Sequence, residues 1–117
     1  MQIYVKGSVE AVEFYQSAFD AKLGFNGKNP EGKYLHAELD LFGQILAISE
    51  GDENIVGNNM QFCLHFHNNE KDIVTKAFNV LKNGAKKIDQ SPGPCIFSPH
   101  MASIIDKFGV YWCIFTD

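Results

Sequence analysis

The chain has 117 residues, 45% hydrophobic and 13% aromatic, enough for one packed core and too few for a second domain. Ten basic residues stand against 14 acidic ones, a net charge of -4 that offers no footprint for a phosphate backbone or an anionic bilayer, so neither nucleic acid nor membrane is an expected partner. No apolar run nears the ~18 residues of a membrane-spanning helix, residues 1–20 lack the charge and apolar pattern of a secretory signal, and a cytoplasmic location is expected.

The first element is a strand over 3–5. Gly7 turns the chain, Ser8 offers an N-cap oxygen and Glu10 a first-turn charge for a helix over 9–19. Val9, Val12, Tyr15 and Phe19, widened by Ala11, Phe14 and Ala18, have the period of one buried helical face. Strands follow over 22–26, 34–41 and 44–49, separated by a Gly/Asn/Pro-rich loop at 27–32 and a tight turn at Phe42-Gly43. The acidic, Asn- and Gly-rich stretch 51–59 marks a connection. Beyond it the order repeats: a strand over 61–67, a helix over 70–82 capped by Asn68 or Asn69, a strand over 85–89, a Pro-rich loop and a closing hairpin. In the second helix Ile73, Ala77, Val80 and Leu81 form the expected buried face, and Asn83-Gly84 ends it. The offset of roughly sixty residues between the halves is too long for a solenoid and suits a duplicated β-α-β-β-β unit. A ferredoxin-like sandwich is the competing topology.

The hairpin carries the most information. Asp106 suits the first position of a type I turn and Gly109 the last, between the apolar, β-branched and aromatic runs 101–105 and 110–115. The pattern Asp106-Lys107-Phe108-Gly109-x-x-Trp112-x-Ile114 resembles the closing strand pair of the glyoxalase/bleomycin-resistance (vicinal oxygen chelate) superfamily, most of all its PhnB-like branch. Glu13-Phe14-Tyr15 with Ala18-Phe19, and His36-Ala37-Glu38-Leu39, extend the likeness over nearly the whole chain. The resemblance implies an α+β fold: two βαβββ modules, about 1–50 and 60–117 of a single domain, forming a curved mixed sheet around a cavity with helices outside. It also implies a homodimer.

Strand alternation sorts side chains between the helix-covered face and the opposite one. Leu35, Ala37, Leu39 and Leu41 are expected against the helices, with Tyr34, His36 and Glu38 on the other face. Leu46 and Ile48 leave Ile45, Ala47 and Ser49; Phe62, Leu64 and Phe66 leave Gln61, Cys63 and His65; Trp112 and Ile114 leave Tyr111, Cys113 and Phe115. Gln2 and Tyr4 share that inward row. The candidate ligand pocket is therefore Tyr4, His36, Glu38, Ala47, Gln61, Cys63, His65, Phe97, Tyr111 and Cys113, with Phe97 as an aromatic wall.

Metal-dependent members of the superfamily take ligands from the first, fourth, fifth and eighth strands, which the resemblance places at Gln2 or Tyr4, Ala47, Gln61 and Cys113. Ala47 has no donor atom, and His or carboxylate is missing at the others, so the usual metal site is expected to be absent and no cofactor is assigned. His65 and His67, two apart on one strand with Cys63, have the alternation a zinc-like ion would use, but their spacing matches no zinc motif, and polar residues at a strand end are the simpler reading. Cys63, Cys95 and Cys113 are odd in number, lack metal-knuckle spacing and fit reduced thiols. His100, at the start of the hairpin, is either a donor at a pocket rim or a solvated turn residue.

The expected function is that of a PhnB-like small-molecule-binding protein, taking a small organic ligand without the usual metal. The alternatives are a divalent-metal-dependent lyase, isomerase or dioxygenase with a relocated site such as His36, Glu38 and His65, and an antibiotic-sequestering resistance-type protein.

Overall fold

The computed structural model describes residues 1–54, 57 and 59–117, so part of the expected connection, Ile55, Val56 and Asn58, lies outside the described residues. The chain divides into two compact units, Met1–Asn54 and Ile55–Asp117. The first contains β1 (Gln2–Val5), α1 (Ser8–Phe19), β2 (Lys22–Lys28), β3 (Tyr34–Leu41) and β4 (Gln44–Glu50). The second contains β5 (Phe62–Phe66), a 3-10 turn (Asn68–Glu70), α2 (Lys71–Leu81), β6 (Lys87–Gly93), β7 (Met101–Ile105) and β8 (Tyr111–Thr116).

Each unit forms its own four-stranded mixed sheet with the same order, β1-β4-β3-β2 and β5-β8-β7-β6. In each, the first strand pairs parallel with the last, and the remaining pairs are antiparallel. These are two βαβββ modules, and the recurrence excludes the ferredoxin-like alternative. No helix of the described residues is long and apolar enough to cross a membrane.

In module one α1 packs on β3 and β4. Ala11, Val12, Tyr15 and Phe19 are buried with Val5, Leu39, Leu41, Leu46 and Ile48, whereas Val9 is only half-buried. Ser8 is not the N-cap. Gly7 is, at φ 89, and Ser8 opens the helix with its Oγ accepting from Tyr34 N at 2.9 Å. The orphan amides of Gly7 and Ser8 donate instead to the Glu50 carboxylate, each at 2.9 Å, so the last residue of β4 caps a helix more than forty positions earlier.

Strand β3 has the expected bounds, but its first residues reverse the expected faces: Tyr34 is buried and Leu35 is 65% exposed. Against β2 the register runs from Gly27↔His36 to Lys28↔Tyr34, so two residues of β3 oppose one of β2. That bulge at Leu35 flips the alternation beyond it.

In module two α2 packs on β7 and β8. The buried row is Val74, Ala77, Phe78 and Leu81, turned by one residue from the expected stripe, which leaves Ile73 and Val80 half-buried. The chain enters the helix through the 3-10 turn Asn68–Glu70. Neither Asn68 nor Asn69 caps this entry: His67 does, with its N–H donating to Glu70 Oε2 at 2.8 Å in a capping box. Strand β6 starts two residues later than expected and runs through Pro92, which an edge strand tolerates because it pairs on one side only.

Trp112 and Ile114 are fully buried, as the hairpin pattern demands. Asp106 is fully buried as well: Oδ1 accepts from Phe108 N at 2.9 Å and Val110 N at 3.1 Å, and Oδ2 from Trp112 Nε1 at 2.9 Å. Gly109 sits at φ 84 and closes the turn onto Asp106 O at 3.0 Å.

Candidate functional site

In each module the sheet face opposite the helix carries the candidate residues. On module one Glu38, Ala47 and Gln2 stand side by side across β3, β4 and β1, and Tyr4 stands beside Ser49. Tyr4 is 69% exposed, whereas Ala47 is buried. His36 Nε2 lies 3.0 Å from Glu38 Oε1, and the His36 ring meets Phe25 at 6.0 Å between centroids. The imidazole and carboxylate thus satisfy each other along one strand, where two residues of the same row face the same way.

On module two Cys63, Cys113 and Ser103 form one row across β5, β8 and β7, and Gln61 joins it by donating from Nε2 to Ser103 Oγ at 3.1 Å. Burial, followed by the neighbouring Cys63 thiol, pushes the Cys113 thiol up to about 11. In the next row His65 stacks on Phe115 at 5.0 Å, and Phe97 meets the same ring edge-on at 5.4 Å. Phe97 is 59% exposed and so is not part of the core. His65 and His67 both reach the carboxylate of Asp117, His65 through Nε2 and His67 through Nδ1 at 3.3 Å. These hydrogen bonds hold the Asp117 carboxyl below its usual range. The two histidines therefore share an acid partner. Among the described residues no group of three or more His, Cys, Asp or Glu is arranged to hold a metal ion.

A polar cluster on this face was missed from sequence. Tyr111 OH donates to Asp89 Oδ2 at 2.5 Å, Lys87 Nζ lies 3.0 Å from Asp89 Oδ1, and Ser103 Oγ lies 3.5 Å from Asp89 Oδ2. The hydrogen bonds from Tyr111 and then Lys87 lower the Asp89 carboxyl, while Asp89 raises both Tyr111 and Lys87. The cause is a bulge: Ile88↔Ile104 is followed by Gln90↔Ser103, and the extra residue, Asp89, turns toward the open side. No alternation pattern signals such a residue.

His100 is tied to α2 through its Nε2, 2.8 Å from Thr75 Oγ1. A hollow of about 230 Å³ on module one is lined by Phe19, Asp20, Lys22, Asp40, Phe42 and Gly43, none of them among the candidate residues.

At the positions that the resemblance assigned to metal ligands, Ala47 supplies no donor, Gln2 and Gln61 are neutral amides whose Nε2 atoms donate to Ser49 Oγ at 3.3 Å and to Ser103 Oγ, and Cys113 is a buried thiol.

The duplicated βαβββ order defines the chain as having the vicinal-oxygen-chelate fold of the glyoxalase/bleomycin-resistance proteins, and solved structures bear this out. The chain is similar to a PhnB protein from Bacillus cereus, with 24% identity, TM-score 0.80, and 100% of this chain and 97% of that one covered. It is also similar to protein PA1353 from Pseudomonas aeruginosa, with 19% identity, TM-score 0.77 and coverage of 99% and 94%. A third likeness is to a variant of the fosfomycin resistance protein FosX from Listeria monocytogenes, solved with Mn(II) and 1S,2S-dihydroxypropylphosphonic acid, at 14% identity, TM-score 0.73 and coverage of 98% and 87%. No protein-family model and no curated protein matches the chain.

Proposed function

We propose that this chain is a PhnB-like small-molecule-binding protein that takes a small organic ligand on the open faces of its sheets, without the metal that other proteins of this fold employ. The observation that supports the reading is the donor set: the positions expected to hold metal ligands carry Ala47, two neutral amides and a buried Cys113, while each module carries exposed aromatic surface and fixed polar groups of its own. Concave or open apolar walls with a few fixed polar groups suffice for binding, whereas turnover needs a positioned acid, base or metal. Phe97, Phe115 and Tyr111 supply the aromatic surface of module two, and Tyr4 that of module one. Asp89 holds Tyr111 in place, and His36 with Glu38 gives a polar anchor. The protein works as a cytoplasmic homodimer in this reading; β1 is a four-residue edge strand that gains from pairing.

The test combines elemental analysis of the purified protein with thermal shifts against Ni(II), Zn(II), Mn(II) and Fe(II), and against aromatic acids, amines and phosphonates. Fosfomycin belongs in that set because FosX proteins share the fold. Stabilisation by an organic compound without added metal is expected. Stoichiometric metal with several degrees of stabilisation, or a fosfomycin shift that requires Mn(II), overturns the reading in favour of a metal enzyme. Sedimentation as a monomer removes the dimer from it.

A further inference from the structure

Two of the three cysteines stand directly opposite each other on adjacent parallel strands. Cys63 of β5 pairs in register with Cys113 of β8, and alternation puts both thiols on the open face of module two. Their exposures differ: Cys63 is exposed, whereas Cys113 is only 6% exposed. Neighbouring strands run ~4.8 Å apart, within the roughly 4.4–6.8 Å between Cα atoms that a disulfide bridges. The pair shares one electrostatic environment as well, since the Cys63 thiol is the largest influence on the Cys113 thiol after burial, ahead of Cys95.

We propose that Cys63 and Cys113 form an oxidative modification site that takes a hydroperoxide and closes into a disulfide between β5 and β8. In the first step the Cys63 thiolate attacks one oxygen of hydrogen peroxide. A sulfur–oxygen bond forms, the oxygen–oxygen bond breaks, and the departing hydroxide takes the proton that Cys63 has released, giving water and a sulfenic acid. In the second step the Cys113 sulfur attacks the Cys63 sulfur. The disulfide bond forms, the sulfur–oxygen bond breaks, and the second hydroxide leaves as water with the Cys113 proton. The two sulfurs together lose two electrons and the peroxide gains them. Exposure makes Cys63 the attacking thiol. Burial shields Cys113 from peroxide, and its place directly opposite Cys63 makes it the sulfur that closes the bridge. The bridge would fasten the edge strand β5 to β8 and remove both thiols from the row that contains Gln61 and Ser103. The site stands on the two thiols and does not depend on what ligand the face binds.

The experiment treats the intact protein with equimolar hydrogen peroxide, blocks remaining thiols with iodoacetamide, and reads intact mass and non-reduced peptides. The expected result is one carbamidomethyl group, on Cys95, above a loss of about 2 Da for the two hydrogens of the bridge, a Cys63 peptide joined to a Cys113 peptide, and reversal by dithiothreitol. Cys95→Ser should behave as the parent. Cys113→Ala should stop at a Cys63 sulfenic acid that dimedone labels, and Cys113→Ser does the same if the alanine variant fails to fold. A Cys63 to Cys95 link, a disulfide between two chains, over-oxidised Cys63 beside an alkylatable Cys113, or no reaction at all would overturn the proposal.

Discussion

Asp40 and Asp106 stand at the hairpins between the last two strands of their modules, Asp40 as the penultimate residue of β3 and Asp106 as the first residue after β7, and they are held in opposite surroundings. Asp40 is exposed and accepts one backbone hydrogen bond, from Gly43 N at 2.6 Å, in a two-residue turn whose Phe42 and Gly43 sit at φ 56 and φ 86. Asp106 is fully buried, accepts two backbone amides and the Trp112 indole, and thereby couples the turn to the core of its sheet. The same residue type at the corresponding hairpin makes a surface turn in one module and a core polar network in the other. What separates them is a tryptophan two residues into the following strand.

The helix entries differ in the reverse sense. Module one relies on a distant carboxylate, Glu50, for its first helical amides, whereas module two completes its entry locally between His67 and Glu70. Module one thus ties its helix start to the end of β4, and module two ties its hairpin turn to β8 through the Trp112 indole.

The largest expected effect tests the buried turn. Asp106→Ala should destabilise the protein by about 3–5 kcal/mol in urea unfolding, because the buried Trp112 indole, the buried Phe108 amide and the half-buried Val110 amide lose their acceptor. A loss under about 1 kcal/mol would equate the two turns and end the contrast. Glu50→Gln should cost about 1–2 kcal/mol through weakened capping, and its cost should depend on pH. Burial pushes the Glu50 carboxyl up, but the hydrogen bonds from the Ser8 and Gly7 amides outweigh it together and leave it below its ordinary 4.5. A carboxyl lowered in the folded state stabilises fully above the unfolded value and ceases to do so as the pH falls through the folded one. The stability gap between the parent and Glu50→Gln should therefore narrow as the pH is lowered from 4.5 through that lower value, in matched urea titrations. Phe42→Asn should raise stability by about 0.5–1 kcal/mol, since asparagine tolerates the left-handed backbone and restores the preferred Asn-Gly turn; a lower melting temperature would show that the Phe42 ring contributes more than its backbone costs. Asp40→Ala should cost the least, about 0.5–1 kcal/mol for a single exposed hydrogen bond.

The sequence by itself determined the repeated β-α-β-β-β order, the bounds of β3, the hairpin centred on Asp106 and Gly109, and the burial of Trp112 and Ile114. These follow from period, turn chemistry and side-chain size, which act within a few residues and leave a local pattern. Tertiary structure alone decided the rest. The bulge at Leu35 exchanged the faces of Tyr34 and Leu35, the bulge in β6 turned Asp89 toward Tyr111, and packing on the sheet buried Val74 and Phe78 of α2 in place of Ile73 and Val80. Glu50 became the cap of α1 only because β4 lies parallel to β1. The candidate rows on the open faces were legible wherever alternation ran unbroken, as along β5 and β8. They were lost at bulges, because one extra residue reverses every side chain beyond it, and the position of that residue is set by the neighbouring strand.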